Sequence, residues 1–237
     1  MQQYMIHNSK FNNNKVEFIK DDLHHIYKVM RHNFNDKVEV VNINTNKKYL
    51  ASLNDDSQSA TIIKEIEHSS ELNHELVLAY GLVKADKLEF VIQKAAELGV
   101  TKFIPLIMER SIVKYDQKKL AKKIERWQKI IKEACEQAHR NALMEIMMPI
   151  SVKELMQYSK DINLVAYEEA KVDSKINKCI KQNKSVMLVV GPEGGISSKE
   201  IEVFKDNNYD IVTLGKRILR TETAVISSLA IITDLME

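Results

Sequence analysis

Glycine is concentrated near the end of this chain, in two short segments that have the composition of ligand-binding loops. The sequence contains six glycines, and three of them fall within Gly191-Pro192-Glu193-Gly194-Gly195, directly after the apolar run Val186–Val190. A fourth, Gly215, follows the apolar run Ile211–Leu214. Glycine lets the backbone approach a ligand closely or adopt a positive φ. A tight turn would explain one such loop, but two loops that follow two strands favour a ligand site.

Charged side chains accompany the second of these loops. Arg220 and Glu222 stand between the end of a predicted strand and a nearly all-apolar segment, so we expect Arg220 to be held in a defined environment. The patterns G-x-G-x-x-G, G-x-x-x-x-G-K-[ST] and G-x-S-x-G do not occur, and no H-E-x-x-H or paired-cysteine motif does either. The sequence therefore gives no support for a dinucleotide fold, a P-loop, a serine hydrolase or a metal site.

Positive charge is concentrated in the middle of the chain. The segment from Arg110 to Arg140 holds ten lysines and arginines against four acids, although the net charge of the whole chain is only +2. Such a segment is typical of a nucleic-acid partner, but charge alone fits a solvated helix face at least as well. Within it, Arg126, Glu133, Gln137 and Arg140 have the spacing of one helix face.

The elements that position the loops alternate between strands and helices from residue 74 onwards. This rhythm predicts an α/β domain with a mostly parallel sheet. We predict strands over Leu76–Tyr80, Lys102–Ile107, Ile162–Tyr167, Val186–Val190 and Ile211–Leu214. We predict helices over Asp86–Leu98, Gln117–His139, Ser174–Lys181, Ser197–Lys205 and Thr221–Met236.

The first 70 residues have a different pattern, in which short strands surround one helix. The helix is predicted from Asp21 to about Arg31, and the strands over Lys37–Val41, Lys48–Leu53 and Ala60–Ile66. Short strands joined by tight turns suggest a small barrel. The sequence thus predicts two domains, residues 1–70 and 74–237, joined by a polar segment.

Several features predict a cytoplasmic protein. The first residues, MQQYMIHNSK, lack the apolar stretch of a signal peptide, and no apolar run is long enough to cross a membrane. The two cysteines, Cys135 and Cys179, are far apart in sequence and indicate neither a disulfide framework nor a zinc site.

The motifs resemble those of one family. The strings GPEGGISSKEI (191–201) and LGKRILRTETA (214–224) are similar to the two C-terminal motifs of the RsmE family, which methylates N3 of a uridine in 16S ribosomal RNA. The resemblance extends to GLVKADKLEFVIQKAAELGV (81–100), Arg126-Trp127, EACEQAHRN (133–141) and HHIYKVMR (24–31). These segments cover nearly the whole chain in the right order.

This resemblance implies a fold, a cofactor and partners. It implies a PUA-like N-terminal barrel that binds RNA, a C-terminal SPOUT domain tied in a trefoil knot, and a homodimer. It also implies S-adenosylmethionine as cofactor and ribosomal RNA, within the small subunit, as substrate. The chain departs from the family at Gln3, where arginine is common, at Asn35, where glycine often precedes the aspartate, and at Lys216, where many members have proline.

Site residues follow from the motifs. Arg220 is the expected stabiliser of negative charge on the uracil, because its guanidinium is permanently charged and forked. Glu222 and Glu193 are the candidate bases, and Glu222 could equally anchor Arg220 or cap its helix. No metal is expected. The predicted cofactor contacts are Val190, Gly191, Glu193, Gly194, Gly195, Leu214, Gly215, Ile218, Leu219, Arg220 and Thr223.

Other residues are expected to contact RNA or a second copy of the chain. The predicted RNA contacts are Arg31, Lys84, Lys87, Arg110, Arg126, Gln137 and Arg140. His24 and His25 could stack on a base, although a histidine on a helix surface is usually unremarkable. The predicted dimer surface is the apolar face of the last helix, with Ala224, Val225, Ser228, Leu229 and Ile232.

Two other functions fit the sequence less well. A ribose 2′-hydroxyl methyltransferase of the same superfamily usually has asparagine in the place of Pro192 and a different string around Thr221–Thr223. A non-catalytic RNA-binding assembly factor would not need both glycine loops to be intact.

Overall fold

The computed structural model describes residues 1–113, 117–171 and 173–237, and only the backbone of residues 117–119. Lys114 to Lys119 of the basic segment therefore lie outside the residues whose side chains are described. The chain forms two compact units, of which the first contains residues 1–71 together with 135–143 and the second residues 72–134 together with 144–237. The domain division made from the sequence did not include the return of residues 135–143 to the first unit.

The first unit is built on a six-stranded sheet. Its strand order is β1-β4-β5-β6-β3-β2, with β1 parallel to β4 and the other neighbours antiparallel. The strands are β1 (Gln3–Ile6), β2 (Phe11–Asn12), β3 (Lys15–Glu17), β4 (Lys37–Asn42), β5 (Lys47–Leu53) and β6 (Ser59–Ile66). The three predicted strands are confirmed as β4, β5 and β6, whereas β1, β2 and β3 were not predicted.

The single helix of the barrel region differs from its prediction. Helix α1 covers Lys20–His24 and continues as a π-helical turn, His25–Val29, in which the backbone N–H of Met30 donates to the carbonyl oxygen of His25 at 2.9 Å. Ile26 of this turn is fully buried in the core of the unit. Arg31 then ends the helix with a positive φ of 57°. The predicted continuous α-helix to Arg31 was therefore wrong in its second half.

Residues 135–143 are bonded into the first unit. The carboxylate of Glu136 accepts a hydrogen bond of 2.7 Å from the backbone N–H of Met5. The side-chain amide of Gln3 donates to the carbonyl oxygen of Arg140 at 2.7 Å, and the ammonium of Lys48 donates to that of His139 at 2.8 Å. Gln3 is fully buried, so its side chain has a structural role.

A buried ion pair completes this attachment. The guanidinium of Arg140, which is 3% exposed, donates to the carboxylate of Glu71 at 2.6, 3.2 and 3.3 Å. The same carboxylate accepts the backbone N–H groups of Asn141 and Ala142 at 2.8 and 3.1 Å. Burial acts to raise the pKa of Glu71, but the charge and hydrogen bonds of Arg140 and the two N–H groups hold it below its usual value.

The second unit contains a seven-stranded sheet in which every pair of neighbours is parallel, and this confirms the predicted mostly parallel sheet. The strand order is β10-β8-β7-β12-β11-β13, and β9 also pairs with β8. The strands are β7 (Leu76–Gly81), β8 (Lys102–Ile107), β9 (Glu145–Ile146), β10 (Ile150–Ser151), β11 (Ile162–Ala166), β12 (Val186–Val190) and β13 (Asp210–Val212). The trefoil knot implied by the resemblance stays a prediction.

The helices of the second unit begin and end at recognisable signals. Helix α2 is followed by Gly99, whose φ of 81° lets the chain turn back, and α6 begins with a capping box between Ser197 and Glu200. The helices are α2 (Ala85–Glu97), α3 (Gln117–Gln137), α4 (Val152–Leu155), α5 (Ile176–Cys179), α6 (Ser198–Asp206) and α7 (Thr221–Met236). Trp127 and Ile131 of α3 are buried.

The apolar face of α7 is covered by its own unit. Val225, Ser228, Leu229 and Ile232 are fully buried and Ala224 is 8% exposed. The helix packs against α2, α5 and β12 of the same unit. These five residues were predicted to form a dimer surface, and that assignment was wrong because the apolar stripe faces the core. The exposed face of α7 carries Thr223, Ala230 and Ile231 instead.

Candidate functional site

A cavity of about 620 Å³ lies at the carboxyl edge of the parallel sheet. The sheet has a topological switch point between β7 and β12. The chain continues from β7 to β8 on one side of this point, and β12, β11 and β13 lie on the other side. Loops that follow neighbouring strands meet at such a position, which is where open α/β sheets bind ligands. The cavity is lined by the loops after β11, β12 and β13, together with Lys87 of α2.

The sequence-predicted site residues come together here. Both glycine loops line the cavity, as do all three predicted catalytic residues. The residues concerned are Val190, Gly191, Glu193, Gly194, Gly195, Leu214, Gly215, Ile218, Leu219, Arg220 and Glu222. Thr223 lines an adjoining cavity of about 540 Å³, which shares Thr213, Leu214 and Gly215 with the first.

The two loops are tied to each other by one short hydrogen bond. The hydroxyl of Thr221, the first residue of α7, donates to the carbonyl oxygen of Gly191 at 2.6 Å, and both residues are buried. Within the first loop, the N–H of Gly195 donates to the carbonyl oxygen of Pro192 at 2.9 Å and closes a turn. The start of α7 and the end of β12 are therefore held in a fixed relation, which positions Arg220 and Glu222.

Close packing under the first loop explains one of its glycine requirements. A Cβ atom built on Gly81, the last residue of β7, would lie 2.5 Å from Cδ of Pro192. Real side chains do not approach so closely, so the loop can rest on β7 only because residue 81 is glycine. Gly81 was not among the predicted site residues, although its place at the end of a predicted strand was a usable signal.

Arg110 braces the outer part of the first loop. Its guanidinium donates to the carbonyl oxygen of Gly194 at 3.1 Å, and its own backbone oxygen lies 3.0 Å from the position of a Cβ on Gly194. A carboxylate oxygen of Glu168 lies 2.9 Å from the corresponding position on Gly195. Arg110 was predicted as an RNA contact, and the structure gives it a contact with the glycine loop.

The second loop is open towards solvent. Gly215 has a φ of 110°, which side-chain-bearing residues rarely adopt, and a Cβ there would meet no atom within 4 Å. Ile218 is 90% exposed, and its apolar side chain stands at the wall of the cavity. Arg220 is exposed and has the extended backbone of an N-cap residue, so its guanidinium is accessible from the cavity.

The two candidate bases have different surroundings. Glu193 forms an ion pair with Lys87, with 3.2 Å between Oε1 and Nζ. Oε2 of Glu222 is buried and has no hydrogen-bond partner among the described residues. The fully buried Tyr80 lies near both; burial, together with the charges of Glu193 and Glu222, raises the pKa of its hydroxyl well above the usual value. Tyr80, at the end of β7, was not predicted.

The remaining predicted RNA contacts are distributed over both units. Lys84 and Arg126 are exposed in the second unit, and Arg126 pairs with Glu89 at 2.7 Å. Gln137, the exposed last residue of α3, and Arg31 belong to the first unit.

Arg140 does not lie on the predicted helix face. Helix α3 ends at Gln137, and the positive φ of His139, 55°, turns the chain so that Arg140 points into the first unit. Arg140 forms a buried ion pair with Glu71, so its role is structural and the predicted RNA contact is not made.

Neither a metal site nor a membrane span is found in the parts of the chain that the structure describes. No group of three or more histidine, cysteine, aspartate or glutamate side chains is arranged to hold a metal ion there. No described helix combines the length and the apolar character that a membrane span requires.

Comparison with known proteins gives the class and then the family. Residues 70–233 match the model of the RNA methyltransferase domain. Ribosomal RNA small subunit methyltransferase E of Bacillus subtilis is 39% identical over 222 residues, which cover 90% of this chain and 87% of that protein. The homologue of Rickettsia conorii is 32% identical and covers 92% and 89%. The chain therefore belongs to the family of ribosomal RNA small subunit methyltransferase E, as its motifs predicted.

A solved structure agrees over the full length. The crystal structure of ribosomal RNA small subunit methyltransferase E from Neisseria gonorrhoeae, bound to S-adenosyl methionine, has a TM-score of 0.85 with 28% sequence identity. The similarity covers 99% of this chain and 98% of that one.

Proposed function

We propose that this protein uses S-adenosylmethionine to methylate N3 of a uridine in small-subunit ribosomal RNA. The observation that carries the proposal is the pair of glycine loops, joined by the Thr221–Gly191 hydrogen bond, around a cavity walled by Arg220 and Glu222. The relatives named above support methylation of small-subunit ribosomal RNA, and the motifs support the uridine-N3 position.

The cavity fits the cofactor that these relatives suggest. Its volume of about 620 Å³ lies within the usual range for small-molecule sites. The open space at Gly215 leaves room beside the second loop, and Ile218 offers apolar surface. Backbone groups of residues 190–195 and 214–219 would hold the cofactor. S-adenosylmethionine, when bound, supplies an electrophilic methyl group on its sulfonium.

The side chains at the wall meet the demands of the acceptor. Uracil N3 is poorly nucleophilic until its proton leaves, so the site needs a base and a group that stabilises the resulting negative charge. Glu222 is the better base, because one of its oxygens has no partner among the described residues whereas Glu193 is paired with Lys87. Arg220, which is accessible and permanently charged, suits the stabilising role.

Substitution of Arg220 tests this assignment. In Arg220→Ala we expect the single-turnover rate on saturating RNA to fall by roughly 10²–10³, about 3–4 kcal/mol, with cofactor affinity within a few-fold of the wild type. Arg220→Lys should restore part of the rate, since a point charge cannot reproduce the fork. Lys216→Ala, an exposed neighbour outside the cavity lining, is the matched control.

Substrate and cofactor are tested separately. Small subunits and naked ribosomal RNA from a strain lacking the enzyme should be methylated by the protein, and mass mapping should find 3-methyluridine. Methylation of a ribose hydroxyl would contradict the proposal. Calorimetry in a chelator should still detect binding of S-adenosylmethionine, and a strict need for a divalent metal would contradict the metal-free site.

We also propose that the protein is a cytoplasmic homodimer. Cys135 and Cys179 form no disulfide among the described residues, which fits a reducing compartment. Thr223 and Ile231 on the exposed face of α7 line the second cavity, and Ile231 is 43% exposed. Burial of this face against a second copy would remove apolar surface from water. Light scattering should report a dimer for the wild type and a monomer for Ile231→Lys; a monomeric wild type would refute the assignment.

A further inference from the structure

A short, firmly held turn follows the π-helical segment of the first unit. The carboxylate of Asp36 accepts the backbone N–H of Asn33 at 2.7 Å and lies 3.1 Å from Nδ1 of His32. The hydrogen bond from the Asn33 N–H, and to a smaller extent the contact with His32, holds the pKa of Asp36 below its usual value. The N–H of Asn35, which has a φ of 68°, donates to the carbonyl oxygen of Leu53 at 3.0 Å and ties the turn to β5. The turn is therefore fixed at both ends.

The tip of this turn exposes an aromatic ring. Phe34 is 57% exposed, and two residues just before the turn, Val29 and Met30, are 55% and 43% exposed. Single exposed apolar side chains are common on protein surfaces. Here, however, three large ones lie within six residues, and one of them is a phenylalanine in a turn that is held at both ends.

The surroundings of Phe34 are positively charged. Lys28, Arg31 and Lys37 are exposed, and none of them forms an ion pair with another described residue. The acid within this stretch, Asp36, has its carboxylate engaged by the turn itself. Arg31 is held in the left-handed region, with a φ of 57°. The stretch from residue 28 to 37 therefore presents an exposed aromatic ring and three exposed cations that form no ion pair with another described residue.

We propose that Phe34 is a stacking platform for an unpaired base of the RNA substrate, with Lys28 and Arg31 contacting the adjacent phosphates. Proteins that bind unpaired RNA combine aromatic faces, on which bases stack, with cations along the backbone. A second copy of this chain fits less well, because a two-fold interface would place the same cations opposite each other. The proposal rests on the proposed function for the identity of the RNA.

Of the two histidines that the sequence suggested as stacking residues, His24 is exposed and His25 is engaged elsewhere. His25, predicted from the sequence as a possible stacking residue, lies with its Nδ1 3.1 Å from the hydroxyl of Tyr4 and packs edge-on against that ring. Its ring faces the core of the unit, whereas that of Phe34 faces solvent. Phe34 therefore takes over the role that the sequence offered to His25.

Substitutions at Phe34 distinguish stacking from other contacts. Loss of one stacked base typically weakens binding by roughly 5- to 150-fold, so Phe34→Ala should raise the Kd of the full-length protein for naked small-subunit ribosomal RNA within that range. Phe34→Tyr keeps the ring and should bind like the wild type. Phe34→Leu keeps the apolar bulk without the ring and should bind like the alanine variant. Ile63→Ala removes a similarly exposed apolar side chain, 50% exposed on β6, and is the matched control.

Three further readouts complete the test. The Kd for S-adenosylmethionine and the melting temperature should stay unchanged in all four variants, and a short oligouridine should show the same order of affinities as ribosomal RNA. Unchanged RNA affinity of Phe34→Ala, or wild-type affinity of Phe34→Leu, would overturn the proposal. A change in the sedimentation of Phe34→Ala without a change in RNA binding would assign the turn to a second copy instead.

The outcome is independent of the reaction chemistry. If the wild type binds ribosomal RNA but methylates another position, the proposed function fails while the ranking of the Phe34 variants still tests the platform. If the wild type methylates uridine N3 and the ranking is flat, the platform alone fails.

Discussion

Replacement of Arg140 should destabilise the first unit, in contrast to replacement of Arg126, although both were predicted to contact RNA. Arg140→Ala removes three donor contacts of 2.6–3.3 Å from a carboxylate that is 19% exposed. Removal of one partner from a buried ion pair typically costs about 3–5 kcal/mol. The partial exposure of Glu71 puts the expected loss near the lower end, about 3 kcal/mol. Arg126→Ala breaks a pair whose arginine side chain is 69% exposed, and should cost about 0–1 kcal/mol.

Urea denaturation combined with hydrogen exchange measures this difference. With a slope of about 1–3 kcal/mol per molar urea, the midpoint of the transition that reports on the first unit should fall by roughly 1–3 M in Arg140→Ala. Exchange should accelerate in peptides from residues 135–143. In Arg126→Ala both should match the wild type.

The pH dependence supplies a second signature. Because the pKa of Glu71 is lowered in the folded protein, its stabilisation is present above the pKa of the unfolded chain and is lost as the pH falls through the folded value. Stability should therefore fall less steeply below about pH 4.5 in Arg140→Ala than in the wild type. An Arg140→Ala protein with wild-type stability and weakened RNA binding would refute the structural role.

Two more predictions concern the first glycine loop. Gly81→Ala places a Cβ 2.5 Å from Pro192. We therefore expect thermal denaturation to show a loss of about 1–3 kcal/mol in stability, and calorimetry to show weaker binding of S-adenosylmethionine. Normal values of both would show that the loop does not depend on this contact. Arg110→Ala frees the carbonyl oxygen of Gly194 and should weaken cofactor binding several-fold, whereas Lys84→Ala, which changes an exposed lysine outside the cavity lining, should not. If Arg110→Ala and Lys84→Ala weakened cofactor binding equally, the loss of a positive charge would explain the effect, and the loss of the Arg110–Gly194 hydrogen bond would not.

The sequence was sufficient to predict the two glycine loops that line the cavity, because they depend on local signals. A run such as Val186–Val190 is buried on both faces of a parallel sheet, and a glycine after it marks the loop. Parallel strands bring such loops to one edge, so Gly191 and Gly215 could be assigned to the same site before the fold was known.

Contacts between segments that are distant in sequence could not be predicted from the sequence. The spacing of Val225, Leu229 and Ile232 indicated that these side chains are buried. It could not indicate which elements cover them, and in this structure they are covered by α2 and β12 of the same unit. The prediction that Arg140 shares a helix face with Arg126 assumed that α3 continues to residue 140. His139 has a left-handed backbone conformation, and this interrupts the helix face before Arg140.

Tyr80 and Gly81 were missed for another reason. Each matters through residues that are distant in sequence: Gly81 contacts Pro192, and Tyr80 lies near the charges of Glu193 and Glu222.

The return of residues 135–143 to the first unit governs the order in which this protein can mature during synthesis. Strand β1 leaves the ribosome first, yet Met5 is bonded to Glu136 and Gln3 to Arg140, which are made more than a hundred residues later. At 5–20 residues per second, the barrel must wait roughly 4–14 s after residue 71 for the segment that completes it. A fragment cut after residue 71 would lack these bonds, and a working isolated barrel would have to carry residues 135–143 on a new connection.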